Sequence, residues 1–578
     1  MLYINQKRLL GVYVIIMLSA GLIFFRLYTI AVSDFGQILP ALNTQHTRRL
    51  SVVERRGFIF DRHGETIAGH GGLYNSLIDP SKIGSDSRTS ETVYSVAETL
   101  REISSSNLSE ADILNRLRNG VPFVIQTHEA LNNHYSQSFR MYRRSINNSP
   151  AAIHIIGYLN SDRQGVTGIE AVYNDFLVNT GARVSAAWEA DALGRSFPGT
   201  PIVITDDSYG KRPGLTLTLD WGLQKKVEEI ADAHLNRGAI VVACAASGEI
   251  LAGVSRPTFS LNNLTDYIES DNGEFINRVF GSFTPGSIFK TVVAAAALEI
   301  DPDYYDWSHY CRGYINVFGQ ILRCHRRWGH GELDNMTEAY ANSCNPYFIE
   351  LALRLGYGVI HEMAQTLGIG EFGLLDGLRI NRGNVPNLTS PPPAFVANAA
   401  IGQDALLMTP LEATRIFAAV ANGGIMPELS IVKSFTFAYN QKPVDLRNTQ
   451  SRRVFSERTA AYMQEMARAV TEIGTGRRAT AEHGLSAGKT SSAESGQFRE
   501  ITNDYGEIVR EQIVHSWFAG FYPACVEIEI GTGAEIEIEA AVTPRYAITV
   551  IVEGGVNDDV HSTDIFREIA NYLGERNK

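Results

Sequence analysis

Lysine is scarce in this 578-residue chain: ten residues, at positions 7, 82, 211, 225, 226, 290, 433, 442, 489 and 578, among 51 basic side chains. A lysine inside a chemical motif is therefore hard to dismiss as generic surface. Cationic excess is missing as well. The balance of 63 acidic against 51 basic residues gives a net charge of −12, which offers no global surface for counterion release and argues against nucleic acid as a partner. Cysteine is thin: Cys244, Cys311, Cys324, Cys344 and Cys525 are too few and too unevenly spaced for a disulfide scaffold, and none forms a C-x-x-C pair suggestive of zinc or redox work. Buried free thiols are the expectation, with a Cys311–Cys324 bridge as the alternative in an oxidising compartment. No metal and no cofactor are expected. Apolar residues are not lacking, at 44% of the chain, so a real core can form and a disordered chain is excluded. At about 100–200 residues per domain, the length predicts two to four domains.

Long hydrophobic runs are also rare, and only one is long enough to matter for location. Leu9–Phe25 (LLGVYVIIMLSAGLIFF) carries no charge and follows Lys7 and Arg8; 17 residues span roughly 26 Å as a helix. Arg26 can snorkel, so that Leu27–Val32 lengthens the span. The basic flank is N-terminal, which predicts a short cytoplasmic tail (1–8), a single transmembrane anchor (9–32) and an extracytoplasmic remainder. A cleaved signal peptide is the competing reading, opposed by the length of the run and by Arg26 within it. Thr291–Leu298 (TVVAAAAL) is too short to span and reads as a buried helix.

Residues 33–215 mix turn-rich and polar segments with short strand-like runs, Gly57–Phe60 and Pro201–Thr205 among them, and read as an elongated module. Near Gly214 the texture changes. Leu215–Asp220 alternates as a half-buried strand, and Trp221–Leu235 has helical spacing. Strand-like runs recur at Gly238–Ala246, Ser516–Tyr522 and Arg545–Gly555 around a helical middle. The fold class predicted for 216–578 is α+β, a sheet closed by terminal strands and flanked by helices. Val526–Ala540 alternates strictly, with five Glu on one face and Ile528, Ile530, Ile536 and Ile538 on the other. That pattern predicts a β-hairpin at 526–540 with an acidic solvated face, rather than a cation site.

Ser287-Ile288-Phe289-Lys290 puts a hydroxyl and an amine three residues apart at the head of a helical run. Positions i and i+3 share a helix face, so a lysine of depressed pKa can take the proton of the serine. The helix N-terminus adds positive partial charge where an oxyanion would form. S-x-x-K alone is weak, because Ser208–Lys211, Ser430–Lys433 and Ser486–Lys489 also match it; only Ser287 begins a helix. Ser343-Cys344-Asn345 follows 56 residues later, and Lys489-Thr490-Ser491-Ser492 comes 146 residues beyond that. Any one of these has a bland reading as a cap, loop or surface residue. The ordered trio is the signature of penicillin-recognising serine acyl-transferases.

With these motifs the chain resembles the class B penicillin-binding proteins, the monofunctional D,D-transpeptidases of bacterial cell-wall synthesis. The resemblance extends to Arg55–Ala68, to His154–Leu177, to Asp191–Arg195 and, further on, to Gly329–Leu333, Ile401–Gly424 and His515–Pro523. It implies a pedestal or dimerisation-type domain over 33–215 and a transpeptidase domain over 216–578. It also implies that Ser287 is the nucleophile, Lys290 its base, Ser343 a proton relay and Asn345 a donor to the substrate amide. Lys489 would supply positive potential, Thr490 would bind the substrate carboxylate, and the backbone N–H groups of Ser287 and Ser492 would form the oxyanion hole. The implied partners are peptidoglycan stem peptides and lipid-linked nascent glycan, β-lactams, the membrane, and a membrane glycosyltransferase of the elongation or division machinery. Two departures stand out. Ser491 occupies the Gly position of K-T-G, where side-chain bulk could hinder substrate, and Gly402-Gln403-Asp404 replaces Gly-Gln-Gly. The rivals are a β-lactamase or D,D-carboxypeptidase, disfavoured because Glu338-x-x-x-Asn342 precedes Ser343, and a non-catalytic β-lactam-sensing scaffold, for which Ser491 is the footing.

Overall fold

The computed structural model describes residues 6–33, 46–54, 56–83, 91–146, 151–181, 183–197, 199–207, 213–371, 373–436, 443–447, 450–502, 508–524, 528–531, 536–539, 544–554 and 561–576. Cys525 and the Ser208–Lys211 motif lie outside them, as do the side chains of the 526–540 segment. The backbone there pairs Ile528–Gly531 antiparallel with Ile536–Glu539, the predicted hairpin.

Two compact units emerge, each assembled from several stretches of chain. The first comprises Met1–Arg56, His70–Arg144 and Gly181–Lys211. Its N-terminal helix, Gln6–Tyr28, belongs to an apolar stretch, Arg8–Val32, with the length and composition to cross a membrane. Thr47–Glu54, Arg183–Glu189 and Val203–Asp206 form a three-stranded antiparallel sheet. Helices Glu91–Ile103 and Glu110–Asn119 pack Val93, Val96, Ala97, Leu100, Ile113 and Leu117 into a small core, and Ser109 with Asp112 closes a capping box at the start of the second.

The second unit comprises Gly57–Gly69, Ser145–Thr180 and Arg212–Lys578. Two segments assigned by texture to the 33–215 module thus cluster with the larger body. The reason is burial: Ile59 and Ile67 from the first segment, and Ala151, Ala152, Ile153, Ile155, Ile156, Ile169 and Leu177 from the second, all join its main hydrophobic core. Phe58–Phe60 also pairs in parallel with Gly214–Thr216.

The centre of this unit is a five-stranded antiparallel sheet of β1 (Gly238–Cys244), β2 (Ile250–Arg256), β3 (Ala487–Thr502), β4 (Ile508–Tyr522) and β5 (Tyr546–Val552), in the order β2-β1-β5-β4-β3. Period-two alternation sorts its side chains onto two faces. Ile240, Val242, Phe518, Ile548 and Val550 meet one helical layer, α1 (Trp221–His234) and α7 (Ser562–Arg576). Ala239, Val241, Trp517, Ala519, Ala547 and Ile551 face the other. That second layer holds α2 (Lys290–Ile300), α3 (Met336–Ala341), α4 (Asn345–Leu355), α5 (Pro410–Ala421) and α6 (Glu457–Glu472). Lys290 through Leu298 are all buried in α2, as expected of a helix that is apolar all round. Leu215–Asp220 lies outside the central sheet: its strand, Gly214–Leu217, pairs instead with Val432–Thr436.

Candidate active site

The S-x-x-K turn begins tighter than an α-helix. Gly286–Phe289 is a 3-10 turn that runs into α2, and i and i+3 eclipse in that geometry, which aligns Ser287 with Lys290. Gly286 takes φ +53°, and a Cβ there would run into the Ser491 Oγ, so only glycine fits. Lys290 is fully buried, and burial pushes its amine down to about 8.

The amine is held by the S-x-N turn. Lys290 Nζ donates to the Ser343 carbonyl oxygen at 2.7 Å and to Asn345 Oδ1 at 2.7 Å, and lies 3.2 Å from Ser343 Oγ. The turn joins α3 to α4, with Ser343 at φ +51° and Cys344 as the residue before the first turn of α4. A non-glycine residue in the left-handed region is strained, and strain of this kind persists where the surroundings over-determine it. Asn345 Nδ2 in turn donates to the Arg323 carbonyl at 3.0 Å.

The third motif lies on β3, at the edge of the sheet. An edge strand leaves a row of backbone groups unpaired, available to an extended peptide. Lys489 is fully buried, its Nζ donating to the Thr490 carbonyl at 3.0 Å. Burial first, and then the neighbouring Lys290, push its amine well below the usual lysine range. Thr490 Oγ1 lies 2.6 Å from Thr475 Oγ1. The Ser491 hydroxyl is tied back to the S-x-x-K turn, donating to the Pro285 carbonyl at 2.9 Å, so its hydroxymethyl group braces that turn. Ser492 is exposed.

Ser287, Ser343, Asn345, Thr490, Ser491 and Ser492 line one cleft of about 380 Å³. Lys290 and Lys489 lie beneath it. Sequence reasoning missed Thr475, Arg478, Trp517, His561 and Thr563, which line it too; they come from the segment after α6, from β4 and from the start of α7, with no motif spacing to connect them. The competing S-x-x-K matches have structural roles: Lys433 Nζ donates to the Arg62 carbonyl at 3.0 Å, and Ser486 Oγ accepts from the Ala481 N–H at 3.1 Å. Asp404, at the third position of Gly402-Gln403-Asp404, lies in the left-handed region at φ +66°, which Asp tolerates better than most residues.

Cys311, Cys324 and Cys344 are buried free thiols, with no Cys311–Cys324 bridge. Their arrangement departs from the sequence expectation, which held no metal site. The three sulfurs and one ring nitrogen of His330 all lie within 4.8 Å of one another, and among the described residues these are the ones able to hold a metal ion. Their spacing, 12, 5 and 13 intervening residues, lacks a C-x-x-C, so only the concentration of three of five Cys and a His within 34 residues pointed to them.

The family of the penicillin binding protein transpeptidase domain matches residues 238–527. Stage V sporulation protein D of Bacillus subtilis is 28% identical over 510 residues, covering 83% of this chain and 73% of that relative. Peptidoglycan D,D-transpeptidase MrdA of Escherichia coli is 24% identical over 470 residues, covering 73% of each. Among solved structures, the Helicobacter pylori PBP2–MreC complex is similar with a TM-score of 0.61 at 21% identity, over 92% of this chain and 99% of that one. Penicillin binding protein 3 of Mycobacterium tuberculosis with aztreonam is similar with a TM-score of 0.60 at 20% identity, over 92% and 97%.

Proposed function

The chain belongs to the penicillin-binding protein transpeptidase family as a class B member, and on that premise we propose that it is a serine D,D-transpeptidase that cross-links peptidoglycan stem peptides. The observation that carries the reading is Lys290: a fully buried amine, depressed to about 8 and held by Ser343 and Asn345 below the cleft that Ser287 lines.

A neutral Lys290 has two N–H bonds and one lone pair. With the N–H bonds directed at the Ser343 carbonyl and Asn345 Oδ1, the lone pair is left for a hydroxyl proton. Ser287 Oγ attacks the carbonyl carbon of the penultimate D-Ala as its proton passes to Lys290. The oxyanion is met by the backbone N–H groups of Ser287 and Ser492. The C–N bond to the terminal D-Ala then breaks, and that amine leaves with a proton relayed through Ser343. An acceptor amine attacks the acyl-enzyme carbonyl and gives a proton to Lys290; the C–Oγ ester bond breaks as the cross-link amide forms, and Ser287 Oγ takes its proton back from Lys290. Asn345 donates to the peptide amide, and Thr490 binds the terminal carboxylate, with Lys489 supplying positive potential. β-Lactams acylate the same Ser287. The Ser491 hydroxyl is held by the Pro285 carbonyl, turned towards the S-x-x-K turn, which favours the catalytic reading over a non-catalytic scaffold.

The apolar Arg8–Val32 helix serves as a single-pass anchor that leaves the residues after it outside the cytoplasm. The Helicobacter pylori neighbour forms a complex with MreC; for this chain the family resemblance of its motifs supports a place in an elongation or division assembly beside a membrane glycosyltransferase. The test is covalent labelling with a fluorescent penicillin, followed by turnover of a D-Ala-D-Ala peptide with and without an acceptor amine. Labelling that is lost in Ser287→Ala and product that requires the acceptor are expected; labelling undiminished in Ser287→Ala, or hydrolysis alone, overturns the reading.

A further inference from the structure

Three thiols and an imidazole converge from four separate segments: the strand His309–Cys311, the residue after the strand Gln320–Arg323, the approach to the strand Gly331–Leu333, and the start of α4. All three cysteines are buried, at 1%, 6% and 0% exposure. In a tetrahedral thiolate site with bonds of about 2.3 Å, neighbouring sulfurs stand about 3.8 Å apart, so the observed spread within 4.8 Å needs only a small contraction. The backbone is drawn tight around the same point. Gly313 and Gly329 take φ +90° and +79°, and a Cβ on Gly329 would collide with the Cys311 carbonyl. The strands of this lobe are three or four residues long, and Phe318 and Trp328 are 90% and 86% exposed. Such short pairs with exposed aromatics have little apolar burial to order them.

We propose that Cys311, Cys324, His330 and Cys344 bind one Zn²⁺ ion, and that the ion positions the Ser343–Asn345 turn. Three thiolates with one imidazole suit this ion, and binding releases the thiol protons. Cys344 lies between Ser343 and Asn345, which supply the oxygens around Lys290 Nζ. Cys324 follows Arg323, whose carbonyl holds Asn345. Two ligands thus flank the groups that set the amine. The positioning half rests on the transpeptidase reading; the binding half does not.

The experiment uses the full chain in detergent, purified under reducing conditions without chelator. Elemental analysis is expected to find about one zinc per chain, released when a mercurial reagent titrates the thiols. Cobalt exchanged into the site is expected to give thiolate-to-metal absorption. Cys324→Ala should lose the ion and Cys324→His retain it. The rate of penicillin acylation should fall about 10- to 100-fold with loss of the ion, with the fall in the acylation step and recovery in Cys324→His. Should Cys324→Ala fail to fold, zinc stripped from the wild-type chain by chelator and then restored gives the same readout. Absence of stoichiometric zinc, even after incubation with Zn²⁺, overturns the binding; zinc lost with the acylation rate unchanged overturns the positioning. Failure of the transpeptidase reading would look different: zinc bound and no acylation at all.

Discussion

The turn that carries Ser287 and Lys290 and the turn that carries Ser343 and Asn345 meet at one amine, yet they are held by different means. The first is fixed by apolar burial: α2 is enclosed on every side from Lys290 to Leu298. The second is fixed by polar and sulfur contacts around a serine in the left-handed region. Apolar packing is insensitive to the identity of a single polar atom, whereas the second arrangement depends on particular donors and ligands. The site therefore combines a helix whose place is set by apolar burial with a turn whose place is set by particular polar groups.

Ser287→Ala removes the nucleophile on which both turns converge, and acylation is expected to fall by about 10⁶-fold, read as loss of covalent penicillin labelling. Lys290→Met should cost about 10²- to 10⁴-fold. In the wild type, the acylation rate should rise with pH towards about 8 and then level, because the neutral amine is the base and burial sets that value; a rate that falls over this range would break the assignment. The contrast itself is sharpened by a pair. Leu298→Ala in α2 should lower stability by about 2–5 kcal/mol with unchanged acylation by the folded molecules. Ser343→Gly should relieve about 1–2 kcal/mol of left-handed strain while slowing acylation, measured by thermal melts alongside labelling. The smallest effect is expected for Ser491→Gly: about 1 kcal/mol for the lost bond to the Pro285 carbonyl, with near-normal labelling.

The motifs were legible because catalysis constrains residue type and order along the chain. The apolar TVVAAAAL run announced a buried helix, and the strand-like apolar runs of Gly238–Ala246 and Arg545–Gly555 announced two central strands. The 3-10 geometry at Ser287 was not visible, since S-x-x-K spacing suits either helix. Nor was the edge position of Lys489 to Ser492, which depends on pairing with β4 across the sheet. The side chain of Ser491 shows the limit best. Read in isolation it looks like an obstruction, but its direction follows from the strand face it shares with Lys489 and Ala493.

The sequence by itself determined the anchor-like helix, the α+β character, the order of the three motifs and the family they indicate, because periodicity and motif spacing are properties of the chain. Only the tertiary structure decided which distant segments share a core, where Ser491 points, and that Cys311, Cys324, His330 and Cys344 converge. Those outcomes depend on contacts between residues far apart in the chain, and the energies that fix them arise only once the helices and the sheet have packed.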